Sequence, residues 1–132
     1  MVSLNTIYAS NTLISTTFPP LTALFIGATS GIGLIGLKKF AQYTLRPRAY
    51  FVGRSQEAAD RIVSDLKVIN AGGEYTFLKA DVSLMRVVDE VCERIREKEG
   101  ALNLLFLSAG VPSMDRSGMC DMMNPLVVLE VC

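Results

Sequence analysis

Gly27, Gly31 and Gly33 lie in the stretch LFIGATSGIGLIGLKKF, Leu24 to Phe40, between a short apolar run and a helix-like pattern. Glycine is the residue type required where the backbone must turn tightly or let a ligand approach without a side chain in between. At a junction of strand and helix, the first helical N–H groups lack partners, and the helix dipole favours an anion beside them. The chemistry such a turn offers is binding of a diphosphate by the backbone. The spacing is G-x-x-x-G-x-G rather than the G-x-G-x-x-G of many dinucleotide folds. Glycine turns also serve purely structural ends, so the weight rests on the flanking elements.

Arg54, in YFVGRS, stands about 20 residues past the glycines. At this position an acidic residue would hold ribose hydroxyls and an arginine would accept a 2′-phosphate. No acidic side chain competes at that turn, and Ser55 adds a hydroxyl, which argues for NADP over NAD. Against this stands a solvated arginine at a strand end. Asp81, in KADVS, has two readings, an acceptor for an adenine amine or an ordinary loop or helix-capping carboxylate.

Other chemistries are excluded by composition. The chain has no histidine, which removes His-based metal sites, Ser/His/Asp triads and Cys/His pairs. Its three cysteines, Cys92, Cys120 and Cys132, form no CxxC pair and read as reduced thiols of a cytoplasmic protein. Lys+Arg and Asp+Glu are 13 each, so no basic excess points to nucleic acid or an anionic membrane. No apolar run is long enough to cross a bilayer, and no basic leading segment marks a secretory signal.

The elements that must position these residues alternate. Residues 1–20 form an N-terminal helical extension: Leu4, Ile7, Tyr8, Leu13 and Ile14 suit a short helix over Ser3–Ile14 lying on the domain, ended before Pro19-Pro20. Leu21–Ile26 is predicted as a strand buried on both faces. Ile32–Tyr43 is a helix with Ile32, Ile35 or Gly36, Lys39 or Phe40, and Tyr43 along one side. Ala49–Val52 is a second strand. Gln56–Asn70 is a helix with Ala59, Ile62, Val63, Leu66 and Ile69 on its inner face, ended by Gly72-Gly73. Tyr75–Lys79 is a third strand. Ser83 is the expected N-cap of a helix through Lys98, with Leu84, Val87, Val88, Val91, Cys92 and Ile95 facing inward. Leu102–Leu107 is a fourth strand. This order predicts an α/β, doubly wound parallel sheet of Rossmann type over residues 21–116.

In combination these stretches resemble the short-chain dehydrogenase/reductase family, and RAYFVGRSQEAADRIV with EYTFLKADVSLMRVVDEV is similar to fungal members, including secondary-metabolite enzymes. GATSGIG matches the family's glycine motif, ADVS its adenine-contacting Asp-Val and LLFLSAG its fourth-strand Asn-Ala-Gly. The resemblance covers about Ser3 to Arg116. It implies an NAD(P)-dependent oxidoreductase that reduces a ketone or oxidises an alcohol. It also implies that Gly27, Ser30, Gly31, Ile32, Arg54, Asp81, Val82, Ala109 and Gly110 line the cofactor. Ser108 departs from the pattern, standing where the family usually has Asn: a hydroxyl remains, without the amide that braces the backbone.

Family enzymes use a Tyr-x-x-x-Lys on a later helix. The literal match here, Tyr75-Thr-Phe-Leu-Lys79, falls on a strand, which puts the two residues about 13 Å apart instead of the roughly 6 Å of a helix. No catalytic residue is therefore assigned. Residues 117–132, SGMCDMMNPLVVLEVC, read as a divergent tail, so the sheet is expected to stop after its fourth strand. The alternative is that Leu126–Val131 pairs beside strand four. An unpartnered fourth strand predicts a marginal domain that associates through that edge. The alternative function is a non-catalytic NADP-binding regulator or partner subunit.

Overall fold

The computed structural model describes residues 2–110. The elements run α1 (Leu4–Thr12), α2 (Ile14–Thr17), β1 (Thr22–Ile26), α3 (Gly31–Tyr43), β2 (Arg48–Gly53), α4 (Gln56–Ile69), β3 (Glu74–Lys79), α5 (Met85–Lys98) and β4 (Leu104–Leu107). The four strands form one parallel sheet in the order β3-β2-β1-β4, the Rossmann-type arrangement expected. Its inner strands are the apolar runs TALFI and RAYFVG, buried on both faces as in parallel sheets flanked by helices.

Register explains the core. Phe25 lies opposite Phe51 and Phe106, and Phe51 opposite Phe77, so four aromatic rings cross the sheet in one row. Phe51 and Phe77 stand 5.2 Å apart and Phe25 and Phe106 5.5 Å apart by ring centroid. This row faces α3 and α4, which bring Leu37, Ala41, Ala59, Ile62 and Leu66 onto it. The opposite face carries Leu24, Ile26, Tyr50, Val52 and Leu78, packed by Val91 and Ile95 of α5. Burying Phe25 and Phe51 completely removes their rings from water, about 2–3 kcal/mol each.

Local details differ from the sequence reading. The N-terminal segment is two helices, and α1 buries none of its residues, so it does not lie on the domain through an apolar face. On α3, Ile32 and Ile35 are 76% and 62% exposed, while Gly33, Leu37 and Ala41 face the sheet. The helix packs through its small residues because they allow close approach: a Cβ on Gly36 would already press the Phe106 ring at 3.3 Å. Helix α4 ends at Asn70, and neither Gly72 nor Gly73 adopts a positive φ. The Asn70 amide instead donates to the carbonyls of Ala41 and Thr44, both at 3.0 Å, tying the end of α4 to the end of α3. Ser83 is not the cap of α5; that position is Leu84, with no side-chain cap bond.

Among the described residues β4 pairs only with β1, and Leu104 and Leu107 are 38% and 49% exposed. The expected tail at 117–132, and any pairing by Leu126–Val131, lie outside the described residues. No helix among the described residues is long and apolar enough to cross a membrane.

Candidate cofactor-binding site

The strand order reverses beside β1: β2 lies on one side of it and β4 on the other. In open parallel sheets the two crossovers diverge at such a reversal, and ligands bind in the crevice outside the carboxyl ends of the strands. The glycine turn follows β1 directly into this crevice.

Three backbone facts shape the turn. Gly27 has φ +87° and Gly31 φ +57°, conformations that side-chain-bearing residues rarely adopt. A Cβ on Gly27 would stand 2.5 Å from the Ala109 nitrogen, so β1 and the end of β4 touch backbone to backbone. A Cβ on Gly33 would overlap the Ser108 hydroxyl and the Gly27 carbonyl oxygen. By contrast, among the described residues nothing lies within 4 Å of the Cβ position on Gly31. The turn is therefore packed tightly below and open above.

Ser30 sits at the N-cap of α3 with extended backbone but makes no side-chain cap bond. The first intrahelical bond of the turn runs from the Leu34 N–H to the Ser30 carbonyl at 3.3 Å. The N–H groups of Gly31, Ile32 and Gly33 thus have no partner within the helix. Ser30, Gly31 and Ile32 are exposed. Open, uncapped amides at the positive end of a helix dipole, with no side chain over Gly31, fit a diphosphate.

The end of β2 supplies the second group. Arg54 is exposed and makes no ion pair among the described residues. Ser55 caps α4, its hydroxyl accepting the Ala58 N–H at 3.3 Å, and its own proton remains to donate. The sequence reading missed Thr29: its methyl occupies the space a side chain on Gly53 would need. This contact packs the glycine turn against the strand end that carries Arg54. The glycine preceding Arg54 was the signal available in the sequence.

Asp81 follows β3. Its carboxylate accepts the Ser83 N–H at 3.1 Å, so the capping alternative holds in a modified form, closing the loop before α5 rather than the helix itself. The Ser83 hydroxyl first, then that N–H, hold the Asp81 carboxyl below its ordinary value, and Arg54 pulls in the same direction. Val82 turns partly inward onto the core beneath α5. Ala109 and Gly110 are exposed beyond β4. The crevice thus brings together the glycine turn, Arg54 and Ser55 on the β2 side, and Ala109 and Gly110 on the β4 side, with Asp81 farther along past β3.

Tyr75 and Lys79 both lie on β3, at opposite ends of the strand. The Tyr75 hydroxyl donates to the Asn70 carbonyl at 3.1 Å, and burial pushes its pKa up. A proton-transfer tyrosine needs the opposite shift.

Comparison with known proteins agrees with this geometry. Oxidoreductase andH of Emericella variicolor is 42% identical over 110 residues, which are 83% of this chain and 33% of that protein. A bulky-bulky ketone specific alcohol dehydrogenase from Comamonas testosteroni has 27% identity and a TM-score of 0.63, covering 73% of this chain and 38% of that one. A short-chain dehydrogenase from Sphingobium yanoikuyae, solved in complex with NADPH, has 27% identity and a TM-score of 0.56, covering 64% of this chain and 32% of that one. The chain spans about a third of the length of these relatives. A family profile described as short chain dehydrogenase matches residues 21–126. With its sheet order, glycine turn and relatives in accord, the chain belongs to the short-chain dehydrogenase/reductase family.

Proposed function

We propose that the carboxyl end of the sheet binds NADP(H) and that this chain forms the cofactor-binding half of an oxidoreductase interconverting a ketone and an alcohol. The observation that carries the reading is the uncapped start of α3, with Gly31 open above it at the point where strand order reverses. The amides of Gly31 to Gly33 and the Ser30 hydroxyl would hold the diphosphate. Arg54 and Ser55 would take the 2′-phosphate of the adenosine, and Asp81 with Val82 would border the adenine. Ala109 and Gly110 would flank the dinucleotide on the β4 side. Bound there, the nicotinamide ring would supply or accept a hydride.

NADP is favoured over NAD because a guanidinium that makes no ion pair among the described residues, and no carboxylate, stands at the turn past β2. The NADPH complex of the Sphingobium relative supports the same preference. The fungal relative, itself an oxidoreductase, supports the oxidoreductase reading; a place in secondary-metabolite biosynthesis is part of the proposal. Titration with NADPH and NADH by calorimetry tests the reading. Arg54→Gln is expected to weaken NADPH about tenfold, the worth of one charge-assisted hydrogen bond, and to leave NADH unchanged. Equal effects on both would remove Arg54 from the site.

A second reading is a non-catalytic NADP-binding regulator or partner subunit, docking through the edge of β4 that no strand among the described residues pairs with. NADPH binding without ketone turnover, together with concentration-dependent association, would select it.

A further inference from the structure

We infer that two copies of this chain pair through their N-terminal helices, each laying the Leu4, Ile7 and Tyr8 stripe of α1 into the apolar groove beside α3 of the other. None of the residues involved is assigned to the cofactor, so the pairing is independent of the dinucleotide reading. The groove has a volume of about 710 Å³, and Ile14, Phe18, Leu21, Phe25, Phe40 and Phe106 supply most of its apolar wall. Among the described residues Lys39 is the one charged group that lines it. That ammonium is already engaged, donating to Gln42 Oε1 at 3.0 Å and lying 5.7 Å from the centre of the Tyr43 ring. A groove of this kind suits an uncharged helix that carries apolar anchors on one side.

Helix α1 has that chemistry. Leu4, Ile7 and Tyr8 stand at i, i+3 and i+4 on one side of a helix about 14 Å long, and all three are exposed. Asn11, the next residue of the same stripe, lines the groove, as do Ile14 and Phe18 beyond it. Stripe and groove thus follow one another along one side of the molecule. The stripe does not fold back into its own groove. Leu13, between α1 and α2, keeps helical dihedrals, φ −72° and ψ −18°, which carry α1 onward past the groove. A two-fold axis near Asn11 instead brings each stripe onto the groove of the other copy, a closed, isologous contact. Like charges do not oppose it, since no charged side chain precedes Lys38 in the sequence. The same fact leaves a charged partner nothing to pair with, whereas a second copy brings the uncharged helix the groove fits.

The test follows the full chain by sedimentation velocity across the micromolar range, as wild type, Ile7→Asp and Val68→Asp. Wild type is expected to dimerise. Ile7→Asp should weaken the dimer about a hundredfold, because each pair loses two buried anchors. Ile7 is exposed in the single copy, so melting of the dilute variant should match wild type. Val68 is exposed on α4, away from the groove, and Val68→Asp should leave the dimer intact. In a second measurement, p-benzoylphenylalanine at position 8 is photolysed in a mixture of isotope-labelled and unlabelled chains. Cross-links joining unlike chains, from position 8 to residues 36–44 or 103–106, are the expected result. Wild type that stays monomeric overturns the inference, as do cross-links confined to single chains. Equal weakening by Ile7→Asp and Val68→Asp would mean unspecific apolar association and overturn it too. A dimer untouched by Ile7→Asp also overturns it, while leaving open the docking through the β4 edge.

Discussion

The two ends of this sheet are built in opposite ways. At the amino end polar side chains are engaged with one another. Arg48 donates to Glu74 at 3.1 Å and to Glu99 at 2.8 Å, and the Tyr50 hydroxyl donates to Glu99 at 2.5 Å. Asn103 accepts the Thr22 N–H at 2.8 Å, and Asn70 closes the ends of α3 and α4. At the carboxyl end, among the described residues, Arg54 makes no ion pair, the Ser30 side chain makes no cap bond, and Gly31 has open space above it. One end spends its polar groups on closure. The other leaves donors uncommitted while its backbone is fixed by close packing from beneath, the combination a binding site needs.

Substitutions at the two ends should therefore separate binding from stability. The largest effect is expected from Gly33→Ala, whose Cβ would overlap Ser108 Oγ and the Gly27 carbonyl. Backbone cannot yield there cheaply, so NADPH binding should fall below detection by calorimetry, with a loss of stability of about 3 kcal/mol in denaturant titration. Next is Glu99→Ala at the closed end. The Glu99 side chain is 8% exposed and serves both Arg48 and Tyr50. Its loss leaves the largely buried Tyr50 hydroxyl without its acceptor and should cost about 2 kcal/mol, with NADPH affinity unchanged. A large loss of affinity in Glu99→Ala would break the separation.

Two pH effects sharpen the comparison. Tyr50 is pushed up to about 12, by burial first and then by its hydrogen bond to Glu99. Its protonated form is the one the fold favours, so its contribution is full below the ordinary tyrosine value near 10 and is lost as pH rises toward 12. Unfolding followed across this range should show the alkaline loss in wild type and not in Tyr50→Phe. At the open end the effect is smaller and opposite in sign. Asp81 is held below its ordinary value of 3.8, so its contribution is full above that pH and fades as acid carries the solution through the lowered value. Asp81→Asn should flatten that weak acid dependence and little else.

The fold was legible because parallel strands buried on both faces are near-continuous apolar runs, and TALFI, RAYFV and LLFL stand out between turn residues. The tight turn after β1 was legible because glycine at 27 and 31 answers a backbone demand, positive φ at both. The inner face of α3 was not. A helix that packs close to a sheet does so through Gly33, Gly36 and Ala41, while the bulky Ile32 and Ile35 point to solvent. Hydrophobicity weighs side chains by size and picks the wrong stripe. Ser83 misled for a related reason. Its hydroxyl and N–H serve the Asp81 carboxylate, and that alternative partner competes with capping the helix. The contacts of Thr29 with Gly53 and of Ser108 with Gly27 were not legible because only the sheet brings these partners together.

The central claim is that the crevice above Gly31 holds the diphosphate of NADPH. Calorimetric titration of the folded chain with NADPH tests it most directly, with Gly33→Ala and Glu99→Ala run beside wild type. Saturable binding to wild type and Glu99→Ala, absent in Gly33→Ala, is the result this account predicts. Folded wild-type chain that takes up no NADPH would contradict it.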